Sequence, residues 1–306
     1  MTINSATAGA GWFLNGISNL QQELTETGRQ LSSGYRVQDA ADAPGQAADL
    51  VGLESSLAAD QAWQSNLSRV QAEANSADTA LGSAISLLDN ARSLAAEAGG
   101  SVLAPASIPN ILAQVKQIQQ QIVGLANTTV EGRYIFGGDS DQSSPYQYDA
   151  TTGSVTALSS AAATRVIAGP QGQAVFQGLS AQQIFDPQDA TGASTGNSTI
   201  AALSALATAL TNNDQPGIAA ALASLGSAST YLNQQQAYYG AAEQRLTSEQ
   251  NSAANRITAF ETNISQIRDT DVTQAATELA AETTNQSAAY GAEAAISKKS
   301  LFDYLA

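Results

Sequence analysis

The stretch from Leu67 to Ala95, LSRVQAEANSADTALGSAISLLDNARSLA, carries an apolar residue at alternating steps of three and four. The repeated positions are Leu67, Val70, Ala74, Ala77, Leu81, Ala84, Leu88, Ala91 and Ala95. Residues with this spacing lie on one face of an α-helix, and several heptads of it are typical of a coiled-coil seam. We therefore predict one long helix, which ends at Gly99 and Gly100.

The same spacing continues towards the N-terminus. Its first part consists of Phe13, Ile17, Leu20, Leu24 and Leu31, with Thr27 at the missing step. After a turn it resumes at Leu50, Leu53 and Leu57. Asp60 and Gln64 interrupt the apolar stripe there, beside Trp63. The sequence thus predicts a first helix, a turn, and a second helix that runs on into the central stretch, with a polar interruption of its apolar stripe at Asp60 and Gln64.

A matching stripe lies near the other end of the chain. It consists of Leu246, Ala253, Ile257, Phe260, Ile264 and Ile267, followed by a further helix through Val272, Leu279 and Tyr290 and an apolar tip with Leu301, Phe302, Tyr304 and Leu305. Helices of this length cannot bury their own stripes. We therefore expect the N-terminal block to pack antiparallel on the C-terminal block, with both chain ends at one end of a rod.

The middle of the chain has a different pattern. Short β-prone pieces occur at 134–136, 146–148, 164–168 and 174–176, among many Gly, Ser, Thr and Gln residues. Helical spacing surrounds them, at Ile111 to Leu125 and again from Ile200 to Leu210, after a linker at 192–198. The predicted fold class is mainly α: an elongated antiparallel coiled-coil or helical bundle formed by the N- and C-terminal segments, with a small β-rich insert in the middle.

Composition restricts the chemistry that the chain can perform. It has no His and no Cys, so the commonest general base, the commonest metal ligand and any thiolate are missing. The formal net charge of −15 argues against binding to nucleic acid or to an anionic membrane surface. No apolar run is long enough to span a bilayer, and the first residues do not resemble a secretory signal. We expect neither an enzyme nor a cofactor or metal site.

Two clusters of acidic residues are candidate sites. Asp139, Asp141 and Asp149 supply too few oxygen ligands for a calcium loop, so a solvated turn is the better interpretation. Asp39 and Asp42 lie in an Ala-rich turn between predicted helices and are better explained as capping residues than as a catalytic pair.

The apolar stripes at the two ends have little else in one chain to cover them, which indicates an association surface. The predicted assembly interface consists of Phe13, Ile17, Leu20, Leu24, Leu31, Leu279, Tyr290, Leu301, Phe302, Tyr304 and Leu305.

Short motifs stand out along the chain: LSSGYRV at 31–37, AADAPG at 40–45, GRYIFGG at 132–138 and YGAAEQRL at 239–246. Together they resemble motifs of the family of bacterial flagellins and hook–filament junction proteins. The last of them is similar to the start of that family's C-terminal helix. The family-motif residues are Leu31, Ser32, Ser33, Gly34, Arg36, Asp42, Gly132, Phe136, Gly137 and Arg245.

Within the family, the ending SLFDYL at 300–305 and Pro44 resemble junction proteins, whereas AAD at 40–42 is similar to flagellins. The resemblance favours a hook–filament junction subunit over a short flagellin. A third hypothesis, from another functional class, is a coiled-coil adhesin or binding module that acts through the β-rich insert.

The resemblance implies polymerisation segments at 1–45 and 269–306, helical rod segments at 46–138 and 198–268, and the insert at 139–197. It also implies an extracellular location in the bacterial flagellum after export through the flagellar channel without a cleaved signal. The implied partners are the chain itself, other axial proteins such as hook-associated proteins and flagellin, an export chaperone and the export apparatus.

Overall fold

A computed structural model of the chain describes residues 3–100, 107–158, 165–170 and 172–297. Long helices dominate these residues, and the predicted helical class is confirmed. The helices are α1 (Ile3–Ser33), α2 (Pro44–Gly99), α3 (Ile108–Ala126), α4 (Ala181–Phe185), α5 (Thr199–Thr211), α6 (Gln215–Arg268) and α7 (Val272–Ser297). The long central helix ends at Gly99, as its sequence predicts.

Antiparallel strand pairs lie between the long helices, the first before the 139–197 insert and the next two within it. They are β1 (Thr129–Val130) with β2 (Arg133–Tyr134), β3 (Tyr146–Asp149) with β4 (Ser154–Ala157), and β5 (Val166–Ala168) with β6 (Ala174–Gln177). The β1–β2 turn places Glu131 and Gly132 at φ +52° and +77°, a conformation that favours glycine and matches the twist of a two-residue hairpin. The predicted strand at 134–136 is wrong beyond Tyr134, because Phe136 leaves the strand and enters the core.

The chain divides into two compact units. The terminal unit comprises Met1–Asp60 with Asn255–Ala306, and the central unit comprises Gln61–Ala254. Helices α2 and α6 contribute residues to both. The main hydrophobic core lies wholly in the central unit, from Trp63 to Ala253.

In the central unit, α2 and α6 are antiparallel neighbours. Gln215 Nε2 donates a hydrogen bond to the Ala98 carbonyl (3.2 Å), and a Cβ on Gly82 would lie 3.3 Å from Gln236 Nε2. Every position of the 67–95 stripe is buried. The seam predicted from the heptads is therefore confirmed along α2. The motif at 239–246 lies inside α6, which begins at Gln215, so the prediction that this motif starts a helix is wrong.

Aromatic packing fixes the β1–β2 hairpin onto the helices of the central unit. Phe136 is fully buried, with its ring edge-on to Phe185 (centroids 5.8 Å apart) and to Tyr239 (6.3 Å). The Ala181 N–H also donates to the Phe136 carbonyl (2.7 Å). One aromatic side chain thus links the hairpin, α4 and α6.

Asp60 does not interrupt α2, which continues through it as a regular helix. The Asp60 carboxylate is buried and accepts two hydrogen bonds from the Arg256 guanidinium, at 2.8 and 3.1 Å. A charged group can occupy a core position when it is paired in this bidentate geometry. The polar interruption in the sequence is therefore an ion pair between α2 and α6 within the terminal unit.

Candidate assembly interface

In the terminal unit, α1 packs antiparallel on α7. Gln21 Nε2 donates to the Tyr290 hydroxyl at 2.9 Å, and Thr27 Oγ1 donates to Glu282 Oε1 at 3.1 Å. From Gln21 to Thr27 along α1, the contacting residue on α7 changes from Tyr290 to Glu282, so the two helices run in opposite directions. The structure thus brings together the two stripes that the sequence assigns to the chain ends.

Residues of the predicted interface are only partly covered by this pairing. Half-buried positions are Phe13, Ile17, Leu20, Leu24, Leu31 and Leu279. Tyr290 is 44% exposed. Leu301, Phe302, Tyr304 and Leu305 lie outside the described residues. The described side chains of this set therefore remain partly exposed in a single chain. Their role in assembly stays a prediction.

The rest of the terminal unit is also poor in buried apolar side chains. Among its described residues the fully buried ones are Val37, Ile264 and Ala275. Trp12 is 84% exposed and Leu14 is 58% exposed on α1. Large exposed apolar groups beside half-buried stripes are typical of a surface that another chain covers.

A polar contact lies within the apolar seam of α1 and α7. Thr27 is buried, and its hydroxyl binds Glu282 Oε1. Within the described part of the chain, the buried Glu282 Oε2 has no hydrogen-bond partner. A buried polar pair lowers stability but penalises any shift of one helix along the other. The sequence shows Thr27 only as a missing apolar step, so the contact to α7 could not be predicted.

Two short connectors leave the paired helices and meet each other. The first (residues 34–43) joins α1 to α2, and the second (residues 269–271) joins α6 to α7 and is taken together with Ile267 and Arg268, the last two residues of α6. We call them together the joint. The hydrogen bonds between them run from the Thr270 N–H to the Gly34 carbonyl (3.0 Å), from the Arg36 and Val37 N–H groups to the Arg268 carbonyl (2.7 and 3.1 Å), and from Arg36 Nη2 to the Ile267 carbonyl (2.6 Å).

Side chains reinforce the joint. The Arg268 guanidinium carbon lies 4.4 Å from the centre of the Tyr35 ring, which is a cation–π contact. Val37 is buried. Gly34 has φ +77°, a backbone conformation that other residues rarely adopt. The last four residues of the LSSGYRV motif therefore all contribute to the joint: Gly34 forms the turn, Tyr35 and Arg36 bind the second connector, and Val37 is the buried apolar side chain.

Asp42 holds the first connector in shape. Its carboxylate accepts hydrogen bonds from the N–H groups of Asp39 (3.0 Å) and Gln38 (2.9 Å) and from the Arg29 guanidinium (2.9 Å). These bonds, in that order of strength, lower the pKa of the Asp42 carboxyl from 3.8 to about 2. Because its backbone donors precede it in the chain, Asp42 bridges the connector and does not cap α2, so the predicted capping role is wrong for Asp42. Asp39 is largely exposed.

This pKa gives a testable pH dependence. Because the pKa of Asp42 in the folded chain is lowered, its bonds stabilise the connector above pH 3.8 and are lost as the pH falls towards 2. In an NMR titration, the Asp42 carboxyl carbon should therefore titrate with a midpoint near 2. Asp39→Asn, which keeps every close contact of Asp42, should leave that midpoint in place, and a midpoint at the ordinary 3.8 would contradict the assigned bonds.

The remaining motif residues lie in the central unit. Gly132 occupies the positive-φ turn position of the first hairpin. A Cβ on Gly137 would lie 2.9 Å from the Asp141 Cα, so only glycine fits there. Arg245 is exposed on α6, and nothing in the structure explains its place in the motif.

Acidic groups near the insert form internal contacts. Asp141 pairs with the Arg133 guanidinium, and Asp149 accepts the Thr151 N–H at 2.8 Å. The solvated turn predicted for Asp141 is therefore an ion pair. In the part of the chain that the structure describes, no group of three or more Asp and Glu residues is placed to hold a metal ion. Among the described helices, none is both long and apolar enough for a membrane span.

Both helical ends of the chain are similar to regions of known proteins. The N-terminal helical region of bacterial flagellin matches residues 7–141, and the C-terminal helical region matches residues 222–305. Flagellar hook-associated protein 3 of Salmonella typhimurium is 27% identical over 182 residues, which are 57% of this chain and 56% of that protein. The chain thus spans little more than half the length of this relative.

Solved structures share the fold. A provisionally named flagellar hook-associated protein from Vibrio parahaemolyticus has a TM-score of 0.64 and 17% identity, and the match covers 74% of this chain and 100% of that one. FlgL of Bacillus cereus has a TM-score of 0.56 and 20% identity, with 70% and 99% covered. Since the flagellin regions at its two ends together make up well over half of its length, the chain belongs to the bacterial flagellin family.

Proposed function

We propose that this chain is a structural subunit of the bacterial flagellum that joins hook to filament. The observation that carries the proposal is the terminal unit: its apolar stripes are half-buried in one chain, while the main core lies in the central unit. A subunit of this kind gains stability when copies or neighbouring proteins cover the stripes. The similarity to flagellar hook-associated protein 3 supports the junction over the filament.

The proposal assigns roles to the segments of the chain. Residues 1–45 and 269–306 are the polymerisation segments, 46–138 and 198–268 are the rod, and 139–197 is the β-rich insert. The partners are copies of this chain, other hook-associated proteins and flagellin. We further infer an export chaperone and the flagellar export apparatus as partners during secretion, with the extracellular flagellum as the final location.

We also infer a structural and not a catalytic role. The chain contains no His or Cys, and the acidic groups described above are used in ion pairs and turns. The family to which the chain belongs is a structural one.

A strain that lacks this chain tests the proposal. A junction subunit connects two structures, so its loss should leave hooks without filaments while intact filament protein accumulates in the medium. Complementation with the full chain should restore attached filaments in electron micrographs. If the medium instead lacks filament protein and filament production returns only with this chain, the chain is the filament subunit. Normal attached filaments in the deletion strain would contradict both assignments.

A further inference from the structure

The hairpin of β5 and β6, in the central unit, contains two strand registers. Its cross-strand pairs are Val166 with Gln177, Ile167 with Phe176, and Ala168 with Ala174. Between the last two pairs β6 advances by two residues while β5 advances by one, which is a β-bulge. The register beyond the bulge is therefore shifted by one residue. If the bulge moved to the other end of β5, the whole strand would take the shifted register.

Apolar burial distinguishes only weakly between these registers. A slip of one residue turns every side chain of a strand to its other face. In β5 the residues Val166, Ile167 and Ala168 are all apolar, so either face offers an apolar side chain to the core. On β6 the neighbours Val175 and Phe176 are both buried. The hydrophobic pattern therefore does not specify how β5 pairs with β6.

Helix α6 holds β6 but not β5. The Tyr238 hydroxyl donates a hydrogen bond to the Gln177 carbonyl at 2.7 Å, and the Tyr239 hydroxyl accepts the Leu179 N–H at 3.4 Å. Both bonds go to main-chain groups at the end of β6 and directly after it. They fix β6 on the helix and leave the position of β5 along β6 to other contacts.

Arg165, directly before β5, provides such a contact. Its carbonyl accepts the Gly178 N–H at 2.9 Å, and its guanidinium forms an ion pair with the Glu73 carboxylate on α2. Arg165 is the single basic residue in the 139–197 insert. A slip of one residue would carry it about 3.3 Å along β6 and turn its side chain to the opposite face. The ion pair is therefore compatible with only one register.

Glu73 makes the loss of this pair costly. It is only 8% exposed, and a buried carboxylate without a partner is strongly destabilising. Arg133 lines the same crevice as Glu73 and Arg165, but its Nε donates to Asp141 Oδ2 at 2.7 Å. Because Arg133 already has this partner, Glu73 depends on Arg165 for its charge compensation.

From these contacts we propose that the ion pair between Glu73 and Arg165 selects the register of the β5–β6 hairpin. The strand β5 can pair with β6 in either register, and the pair makes the observed one dominant. Glu73 thus acts as a specificity determinant for the fold of the insert. This role is a property of the central unit and does not depend on the flagellar function.

NMR of the full chain tests the proposal through Hα–Hα contacts to Gln177. In the observed register Gln177 faces Val166, and in the shifted register it faces residue 165. Glu73→Met combined with Arg165→Met removes both charges and leaves no unpaired charge in the core, so the central unit should still fold. We expect the ratio of shifted to observed contacts to rise by about tenfold or more.

Glu73→Gln alone is a second variant with the same expected result, should the double variant fail to fold. Glu97→Gln is the matched control, because Glu97 is an exposed residue of the same helix and should show the observed contact only. Retention of the observed contact alone in the Glu73 variants would overturn the proposal. Loss of both contacts would overturn it as well, since the pair would then hold the hairpin together without selecting its register.

Discussion

Replacing Leu24 with aspartate is expected to abolish incorporation of this chain into flagella. Leu24 lies on the α1 stripe that pairs with α7 and is half-buried in the single chain. If assembly covers the stripe further, the new carboxylate must be buried without a partner. A cost of about 3 kcal/mol per subunit already lowers an association constant by more than a hundredfold. The measurement is the amount of variant in purified flagella relative to the amount secreted.

Gln22→Asp provides the matched control for this prediction. It adds the same charge to an exposed position on the same helix, two residues away. We expect normal incorporation of this variant. The thermal transition of the central unit should be unchanged in both variants, because its core begins at Trp63. Incorporation of the Leu24 variant at wild-type levels would show that the α1 stripe is not an assembly surface.

Phe136→Ala should produce the largest loss of stability in the central unit. Phe136 is fully buried and packs on Phe185 and Tyr239, so its removal leaves a cavity between the hairpin, α4 and α6. Truncation of a buried Phe typically costs about 3–5 kcal/mol. Chemical denaturation followed by circular dichroism measures the change in the free energy of unfolding.

Leu158→Ala is the control for the core prediction. Leu158 lies in the 139–197 insert of the same central unit, and its side chain is 53% exposed. Its truncation should change the free energy of unfolding by no more than about 0.5 kcal/mol. A Phe136 variant with the stability of the Leu158 variant would mean that the hairpin is not packed on the helices as described.

Much of the helical architecture could be predicted because a heptad stripe specifies both a helix and the face that it buries. The 67–95 stripe predicts the central part of α2 and the face that this helix buries. The sequence does not predict the burial of Asp60, because its partner Arg256 is 196 positions away and nothing local indicates the ion pair. Thr27 is only a gap in the apolar stripe when the sequence is considered alone, because its partner Glu282 is equally remote in the chain.

Some missed elements carried a local signal. The Ser180 hydroxyl accepts the Gln183 N–H, and Gln183 in return accepts the Ser180 N–H, which is a capping box that marks the start of α4. The alternating SVTA of β4 follows Gly153, a turn residue with φ +74°. The joint has no such local signal. It consists largely of backbone hydrogen bonds between segments more than 200 residues apart, and the side chains of these segments do not indicate that they pair.

The central claim is that this chain occupies the boundary between hook and filament. Immunogold labelling of isolated flagella, with an antibody against the 139–197 insert, measures its position directly. Flagella from a deletion strain complemented with Leu24→Asp serve as the unlabelled reference. The account predicts label confined to a short band where hook meets filament. Label along the whole filament, or no label on wild-type flagella, would contradict it.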